Sequence, residues 1–176
     1  HSFPTRRSSD LINTAEGKNL VGAFHPPASV IIDLDTLETL PRNELLASYG
    51  EIVKCGFIAD ERILEILEAD VAKATDIHSS EFRELIERCV SIKARVVSED
   101  LKDQGLREIL NYGHTLGHAI EHNERYQWRH GVAVAIGMVF VAELAQLAGK
   151  LQPEVVDRHR EILKSLGLPT TYRKIG

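Results

Sequence analysis

Asn111–Glu121 reads Asn-Tyr-Gly-His-Thr-Leu-Gly-His-Ala-Ile-Glu and places two histidines, His114 and His118, four residues apart. On an α-helix, this spacing offsets two side chains by about 40° around the axis and about 6 Å along it, so both share one face. A third histidine, His130, follows in the segment Arg-His-Gly. Three imidazoles in a short stretch bracketed by glycines are typical of a metal site or a proton-transfer site.

His130 can join the other two histidines only if the chain bends between them. One continuous helix would place it roughly 24 Å from His114 and about 160° around the axis. The polar stretch Asn123–Trp128 predicts such a break, with His130 at the start of the next helix. There the positive end of the helix dipole disfavours an imidazolium ion and leaves a ring nitrogen available to a metal.

Simpler interpretations of these residues stay open at this point. Two histidines four apart on a helix are often surface residues or hydrogen-bonded core residues, and His122 extends the same face as a bystander. Glu51 and Lys54 lie three apart on another predicted helix, where such a pair is most often a solvated ion pair. Alternatively, Glu51, His114 and His130 would leave one position open on a tetrahedral zinc ion, which is the arrangement of a catalytic site.

The hydrophobic periodicity predicts a mainly helical chain. The segment Glu81–Val97, for example, places Phe82, Leu85, Ile86, Cys89 and Ile92 on one face. The run Gly131–Leu147 is almost entirely apolar and predicts a buried central helix. The other predicted helices are Asn43–Ile58, Asp60–Ala69, Ile109–Glu121 and Pro153–Leu166. Only one clear strand is predicted, the β-branched run Ala28–Leu34, which we expect to be buried.

Composition excludes several classes of function. The chain has 176 residues, of which 43% are hydrophobic and 27% charged, and its net charge is −5. With no basic run, we expect no nucleic-acid partner. The two cysteines, Cys55 and Cys89, form no framework pattern, which favours a reducing compartment. The longest apolar run, Val132–Ala142, is too short to span a bilayer, so we expect no membrane partner.

The first residues have neither periodicity nor the apolar core of a signal peptide. We interpret residues 1–11 as a non-native tail, namely the conceptual translation of a sequencing adapter. A disordered native tail is the alternative.

Taken together, these residues resemble the 3-dehydroquinate synthases, which are sugar phosphate cyclases of the shikimate pathway. The resemblance extends from about residue 16 to about residue 150, and its most specific part is Asn111–Glu121. The other matching segments are Gly17–Phe24, Asp33–Pro41, Glu51–Lys54, Ile92–Ala94, Gly105–Arg107 and His130–Gly131. The resemblance implies that residues 12–40 are a remnant of an NAD-binding α/β domain. It also implies that residues 41–176 are a helical domain that binds zinc and substrate and is truncated at its C-terminus.

The family converts 3-deoxy-D-arabino-heptulosonate 7-phosphate to 3-dehydroquinate and phosphate, in the biosynthesis of aromatic amino acids. NAD⁺ transiently oxidises one carbinol, phosphate is eliminated, the ketone is reduced again, and an aldol step closes the ring. The resemblance therefore implies an NAD-dependent phosphorus–oxygen lyase that uses zinc or cobalt. A cytoplasmic location and a homodimeric intact protein are implied as well.

Site residues follow from the resemblance, position by position. Glu51, His114 and His130 match the zinc ligands, and His118 matches a histidine that transfers protons and contacts the phosphate side. Spacing alone could not decide between His114 and His118 as the ligand. Further catalytic or substrate contacts are implied for Lys54, Lys93, Arg107 and Asn111, and the edge of the NAD site for Lys18, Thr36, Leu37, Glu38 and Thr39.

The chain departs from the family pattern at several positions. Val132 stands where the family usually has glutamate, as do Leu101 and Asp103, and Ser9 stands in place of a lysine. The resemblance also implies that the preceding nucleotide-binding domain and the family's final segment are missing from these 176 residues. We therefore expect the 176-residue polypeptide to bind metal weakly, to bind NAD poorly and not to turn over.

Three alternatives remain on the sequence alone. The first is another sugar phosphate cyclase, such as an inosose, valiolone or amino-dehydroquinate synthase. The second is a metal-dependent polyol dehydrogenase, which would transfer hydride to free NAD⁺. The third is a non-catalytic helical interaction module, which would bind no metal.

Overall fold

The structure is a computed structural model that describes residues 11–14, 17–22, 29–99 and 105–173. The chain divides into two compact units, residues 1–40 and 41–176. Helices predominate among the described residues, and the fold is mainly α, as the sequence predicts. The predicted tail falls outside the described residues except for Leu11, which begins the first strand.

The first unit contains a hairpin and a short helical turn. Strand β1, Leu11–Thr14, pairs with strand β2, Gly17–Gly22, in antiparallel register, with Leu11 opposite Gly22. A 3₁₀ helix follows at Leu34–Thr39. It begins at Asp33, whose carboxylate accepts the backbone N–H of Asp35 and so satisfies a donor at the helix start.

The predicted buried strand Ala28–Leu34 is wrong. Ala28 lies outside the described residues, and residues 29–33 have no regular secondary structure. Their apolar side chains are exposed, with Val30 at 60%, Ile31 at 89% and Ile32 at 41%. A strand needs a neighbouring backbone to complete its hydrogen bonds. Among the described residues, the one sheet pairs β1 with β2, so this run has no ladder to join.

The second unit consists of seven α-helices and one 3₁₀ turn among the residues described. The predicted helices of the first half are confirmed, as are the central and last helices, and their bounds differ by a residue or two. The elements are α1 Arg42–Ala59, α2 Glu61–Ala69, α3 Val71–Ala74, α4 Ser80–Glu99, the 3₁₀ turn Leu106–Asn111, α5 His114–Asn123, α6 His130–Leu147 and α7 Pro153–Ser165.

Two aspartates separate the first three helices, and α3 was not predicted. Asp60 accepts the backbone N–H of Arg62 at the start of α2, and Asp70 accepts that of Lys73 at the start of α3. Aspartate is a strong helix-start residue, because its carboxylate satisfies donors that the first turn leaves unpaired. The predicted buried face of α4 is confirmed, and Val96 extends it.

The helix predicted from Ile109 to Glu121 is interrupted, and that prediction is wrong at Gly113. This residue has a φ of 77°, in the left-handed region, and separates the 3₁₀ turn from α5. A β-carbon there would lie 2.7 Å from the backbone nitrogen of Met138 and 2.9 Å from the carbonyl oxygen of Val134. The turn and the close approach to α6 therefore both require glycine, and His114 becomes the first residue of α5.

The predicted break between α5 and α6 is confirmed. Arg125 and Tyr126 adopt left-handed φ values of 51° and 59°, and the Tyr126 N–H donates to the carbonyl oxygen of Glu121 at 2.7 Å. The chain reverses here, so that α6 begins at His130, as the sequence predicts.

Helix α6 forms the centre of the second unit. Half of its length is buried, and Ala133, Val134 and Ala135 have no exposed surface. By length and composition it is also apolar enough to cross a membrane, with a mean hydropathy of 1.7, but the core helix of a helical domain has the same properties. It packs mainly against α1 and α5, and these three helices carry the site described next.

Candidate metal centre

Each of the three predicted zinc ligands is the sequence neighbour of a glycine at a helix contact. Glu51 follows Gly50 on α1, and His130 precedes Gly131 on α6. These two glycines touch, since a β-carbon on Gly50 would collide with the carbonyl oxygen of Gly131. The turn at Gly113 brings His114 to the same region. The backbones therefore approach closely just where the three side chains emerge.

The structure brings Glu51, His114 and His130 together. The Glu51 Oε1 atom lies 3.4 Å from His114 Nε2 and 3.5 Å from His130 Nε2. One ligand-type atom from each residue lies within 4.8 Å of the others. The rings of His114 and His130 have centroids 5.1 Å apart. Two imidazole nitrogens and one carboxylate oxygen thus converge on a common point.

The second Glu51 oxygen serves two lysines. Lys54 Nζ donates to Oε2 at 2.8 Å, and Lys93 Nζ lies 3.8 Å from the same atom. Lys54 is only 2% exposed, so the interpretation of Glu51 and Lys54 as a solvated surface pair is wrong. The helix α4 contributes Lys93 to this centre across the α1–α4 packing.

Burial and neighbouring charges shift the pKa values of this cluster. Burial raises the pKa of the Glu51 carboxyl, but the interaction with His130 and the charges of Lys54 and Lys93 outweigh it and hold the pKa well below the usual range. Burial, reinforced by the Lys54 charge, lowers the pKa of His114 to about 4. For His130, burial is outweighed by Glu121 and Glu51, which raise the pKa, the opposite of the effect that the sequence predicts for the start of α6. Glu51 is therefore an anion and His114 a neutral imidazole near pH 7, the forms in which both residues bind metals.

The donor set fits a divalent metal ion. Glu51 Oε1 is buried without a hydrogen-bond partner, and an orphaned anionic oxygen is costly unless a cation or donor compensates it. Two imidazole nitrogens and one carboxylate oxygen match the three protein ligands of catalytic zinc sites, which keep a fourth position open. The three residues are thus suited to hold zinc or cobalt.

His118 stands at the edge of this centre. Its ring centroid lies 5.3 Å from that of His114 and 5.9 Å from that of His130, and its side chain is exposed. The predicted common face of His114 and His118 is therefore confirmed. His118 also forms a second group of potential ligands with Glu121 and His130. Its exposure suits a residue that exchanges protons with substrate or solvent.

Of the predicted substrate contacts still to be placed, Asn111 is the one whose side chain the structure describes. Asn111 lines a cleft of about 730 Å³ beside Tyr112, Phe140 and Leu144, and none of the three potential metal ligands lines it. The side chains of Arg107 and Lys18 lie outside the described part of the chain, as do Ser9, Leu101 and Asp103. Val132 is half-buried on α6.

The predicted NAD-site turn, Thr36–Thr39, belongs to the first unit. Thr36, Glu38 and Thr39 are exposed there, and Leu37 is partly buried. The hydroxyls of Thr36 and Thr39 donate to the backbone carbonyls of Asp33 and Thr36, respectively, and so stabilise the 3₁₀ turn.

Sequence reasoning missed two residues with buried contacts, one beside the centre and one on α7. Glu121 accepts from His130 Nδ1 at 3.1 Å, across the α5–α6 turn. His159 on α7 contacts Tyr112. Its Nδ1 donates to the Val155 carbonyl at 2.6 Å. Its Nε2 therefore carries no proton and accepts a hydrogen bond from the Tyr112 hydroxyl at 3.0 Å. In the sequence, the position of Glu121 at the end of the run Asn111–Glu121 was the feature that could have indicated its role. No sequence pattern connected His159 with a tyrosine so far away in the chain.

Comparisons with known proteins point to one family. A family model described as 3-dehydroquinate synthase C-terminal matches residues 48–176, and one described as 3-dehydroquinate synthase N-terminal matches residues 8–47. The 3-dehydroquinate synthase of Pseudarthrobacter chlorophenolicus is 68% identical over 163 residues, or 93% of this chain, and that of Leifsonia xyli is 66% identical over 161 residues, or 92%. The chain spans about 45% of the length of each.

Solved structures of related cyclases share the fold. A 2-epi-5-epi-valiolone synthase from Streptomyces hygroscopicus, with NAD⁺ and Zn²⁺ bound, matches with a TM-score of 0.82 and 26% identity over 92% of this chain and 46% of its own. A 2-deoxy-scyllo-inosose synthase complexed with carbaglucose-6-phosphate, NAD⁺ and Co²⁺ matches with a TM-score of 0.73 and 30% identity over 90% of this chain and 44% of its own. With both family models matched along its length, the chain belongs to the 3-dehydroquinate synthase family.

Proposed function

We propose that these residues serve the conversion of 3-deoxy-D-arabino-heptulosonate 7-phosphate to 3-dehydroquinate and phosphate, with NAD⁺ and a zinc or cobalt ion as cofactors. The main support for this proposal is the position of Glu51. Its Oε1 faces two imidazole nitrogens, and its Oε2 faces two lysines. The identity of 61–68% to relatives named 3-dehydroquinate synthase favours this substrate over those of other cyclases. We propose this activity for a protein of the relatives' full length, of which this chain spans about 45%.

Glu51, His114 and His130 would hold the metal ion. When bound, that ion supplies Lewis acidity toward the substrate's hydroxyl groups, which favours loss of a proton from the oxygen of the carbinol that is oxidised. The contact with Lys54 holds the buried Glu51 side chain in place on α1, so that its Oε1 faces both imidazoles. The three ligands come from α1, α5 and α6, so the helix packing determines the shape of the site.

The charges around Glu51 suit an anionic substrate. Lys54 and Lys93 balance the two buried carboxylates, Glu51 and Glu121, so a bound divalent cation would leave the centre positive. A phosphate and a carboxylate both require such positive charge together with directed donors. Lys93 is the more accessible of the two lysines, with 15% of its side chain exposed, and is the one positioned to reach a substrate.

His118 is proposed as the residue that transfers protons on the phosphate side. Its ring is exposed and lies next to both imidazole ligands, which is the position that a proton carrier requires. Arg107 and Asn111 are proposed as substrate contacts, and Lys18 with the Thr36–Thr39 turn as the edge of the NAD site. A homodimeric assembly and a cytoplasmic location complete the proposal.

A segment exchange tests the function. Residues 41–176 would replace the matching segment of the Pseudarthrobacter chlorophenolicus enzyme, and the purified chimera would receive NAD⁺, Zn²⁺ and the heptulosonate phosphate. We expect 3-dehydroquinate and phosphate to form in equal amounts without net NADH. In the chimera, Glu51→Ala should remove both zinc and activity, whereas Glu61→Ala, on the exposed surface of α2, should leave both unchanged.

Other outcomes would identify another function. Turnover of glucose 6-phosphate in preference to the heptulosonate phosphate would indicate an inosose-type cyclase. Net NADH formation from a polyol would indicate a dehydrogenase. A chimera that folds but binds no zinc and forms no product would contradict the proposed function.

A further inference from the structure

His130 uses both of its ring nitrogens. Its Nε2 lies 3.5 Å from Glu51 Oε1, at the proposed metal centre. Its Nδ1 lies 3.1 Å from Oε2 of Glu121, on the opposite side of the ring. The Glu121 side chain belongs to the last part of α5 and is only 4% exposed. A buried carboxylate thus lies directly behind one of the three potential ligands.

This contact determines which nitrogen of His130 carries the proton. A carboxylate can only accept, so Nδ1 must be the donor. In the neutral ring, Nε2 then keeps its lone pair and points it toward Glu51 Oε1 and the other potential ligands. His114 is arranged in the same sense, because its Nδ1 lies 3.2 Å from the carbonyl oxygen of Tyr112. Both imidazoles therefore present Nε2 to the centre, one held by a carbonyl and the other by a carboxylate.

We propose that Glu121 is a positioning residue of the metal centre: it fixes His130 in the Nδ1-protonated tautomer, aims Nε2 inward and increases the affinity of Nε2 for the metal. This inference rests on the metal site of the proposed function. Carboxylates behind histidine ligands orient the ring and increase its basicity, and losing one typically reduces metal affinity about 10–100-fold.

The competing role for Glu121 is that of a ligand. Glu121, His118 and His130 also offer atoms within 4.8 Å of one another, and a metal ion there would bind Nδ1 of His130. The first group is favoured because it contains the orphaned, buried oxygen of Glu51, whereas the second includes the exposed His118. The two roles differ in the nitrogen of His130 that would bind the metal.

Nuclear magnetic resonance of the 176-residue chain with ¹⁵N-labelled histidine tests this proposal. In the metal-free protein, we expect His130 to show a proton on Nδ1. Addition of Zn²⁺ should then shift the Nε2 resonances of His130 and His114. Metal contact with Nδ1 of His130 would overturn the proposal in favour of the ligand role.

Three substitutions complete the experiment, with zinc affinity measured by competition with a chromophoric chelator. Glu121→Ala should weaken zinc binding about 10–100-fold, and the proton of His130 should no longer be confined to Nδ1. Glu121→Gln should weaken it less, because the amide oxygen still accepts from Nδ1 but carries no charge. Glu124→Gln, at a neighbouring carboxylate that binds Tyr172 instead, should leave zinc affinity unchanged.

The outcomes separate this proposal from the proposed function. An unchanged His130 tautomer and unchanged zinc affinity in Glu121→Gln and Glu121→Ala would overturn the positioning role while leaving the metal site intact. If the wild-type chain binds no zinc, the metal site fails, yet the tautomer of metal-free His130 still decides whether Glu121 orients it. If Glu121→Ala does not fold, Glu121→Gln and Glu124→Gln provide the comparison.

Discussion

Gly50 of α1 and Gly131 of α6 lie against each other where the two helices cross, and neither has room for a β-carbon. A methyl group on Gly131 would collide with the carbonyl oxygen of Ala47, which is backbone and cannot rotate away. Because Glu51 and His130 are the sequence neighbours of these glycines, the distance between the two helix backbones sets the distance between the two side chains.

Gly131→Ala should therefore separate α1 from α6 and weaken the metal centre. We expect a loss of about 1–3 kcal/mol in the free energy of unfolding, as for other overpacked cores. Zinc affinity should fall with it. Urea unfolding and a zinc titration measure the two effects on the same protein.

The matched control for this change is Gly149→Ala. Gly149 follows α6 with a φ of 69° and has no atoms near its potential β-carbon. Alanine there should cost about 1–2 kcal/mol through left-handed strain alone. Zinc affinity should be retained. Equal zinc binding by the two variants would refute a role of the glycine contact in shaping the centre.

His114→Ala and His118→Ala distinguish the ligand from its neighbour. The Nε2 atom of His114 faces Glu51 Oε1, so its loss should weaken zinc binding by more than the roughly 100-fold expected for loss of a supporting residue. His118→Ala should keep zinc but reduce turnover in the segment-exchange chimera about 100-fold or more, as for loss of a general acid or base. Similar zinc loss in both variants would show that the roles are assigned wrongly.

Stability should depend on pH through His159. Burial lowers its pKa to about 4, against 6.5 for a free imidazole, and the nearby Arg158 charge adds to this. The unfolded chain therefore binds a proton below pH 6.5 that the folded protein does not accept until about pH 4. Stability falls as pH decreases through this window, and the expected loss between pH 7.5 and 5.0 is about 2 kcal/mol.

Urea unfolding of the metal-free chain at both pH values checks this dependence. The variant His159→Gln isolates the contribution of His159, because the titration of His114 and His130 is common to both proteins. Tyr112, the hydroxyl partner of His159, does not titrate in this window, since burial raises its pKa to about 12. We expect a shallower decrease in stability for the variant, and parallel decreases would exclude His159 as the cause.

Arg158 provides a test of stability that leaves the site untouched. Its guanidinium donates to both oxygens of Glu68, at 2.7 and 2.9 Å, and to Glu61 at 2.9 Å, joining α7 to α2. These groups are partly exposed, so Arg158→Met should cost about 1 kcal/mol or less. The loss should shrink in high salt, and zinc affinity should not change. A change in zinc affinity would reveal coupling between α7 and the centre.

The helices could be predicted well from the sequence, because a helix depends on the spacing of residues within one short segment. The apolar face of α4 and the uniformly apolar α6 follow directly from the spacing of residues along one segment. The same reasoning failed for Val30–Ile32, whose β-branched side chains favour a strand, because a strand also depends on a partner that the segment itself does not specify. It also missed the turn at Gly113, since isolated glycines occur within helices.

The candidate site was predictable only in part for a related reason. The break before His130 and the shared face of His114 and His118 follow from helix geometry and were predicted. That Glu51 approaches these residues depends on how α1 crosses α6, which no local pattern specifies; its expected place came from the resemblance. The contacts of Glu121 with His130 and of His159 with Tyr112 likewise arise only when the helices pack.

The two-sided use of Glu51 constrains how this site can change in evolution. The Glu51 carboxylate accepts a hydrogen bond from Lys54 on one oxygen and faces two imidazoles with the other. A substitution at position 51 therefore alters the surroundings of the lysines and of the histidines together. Aspartate would shorten the reach to both groups, and glutamine would remove the charge that both require. Selection can adjust each lysine or histidine separately, but we expect position 51 to change only together with several of its neighbours.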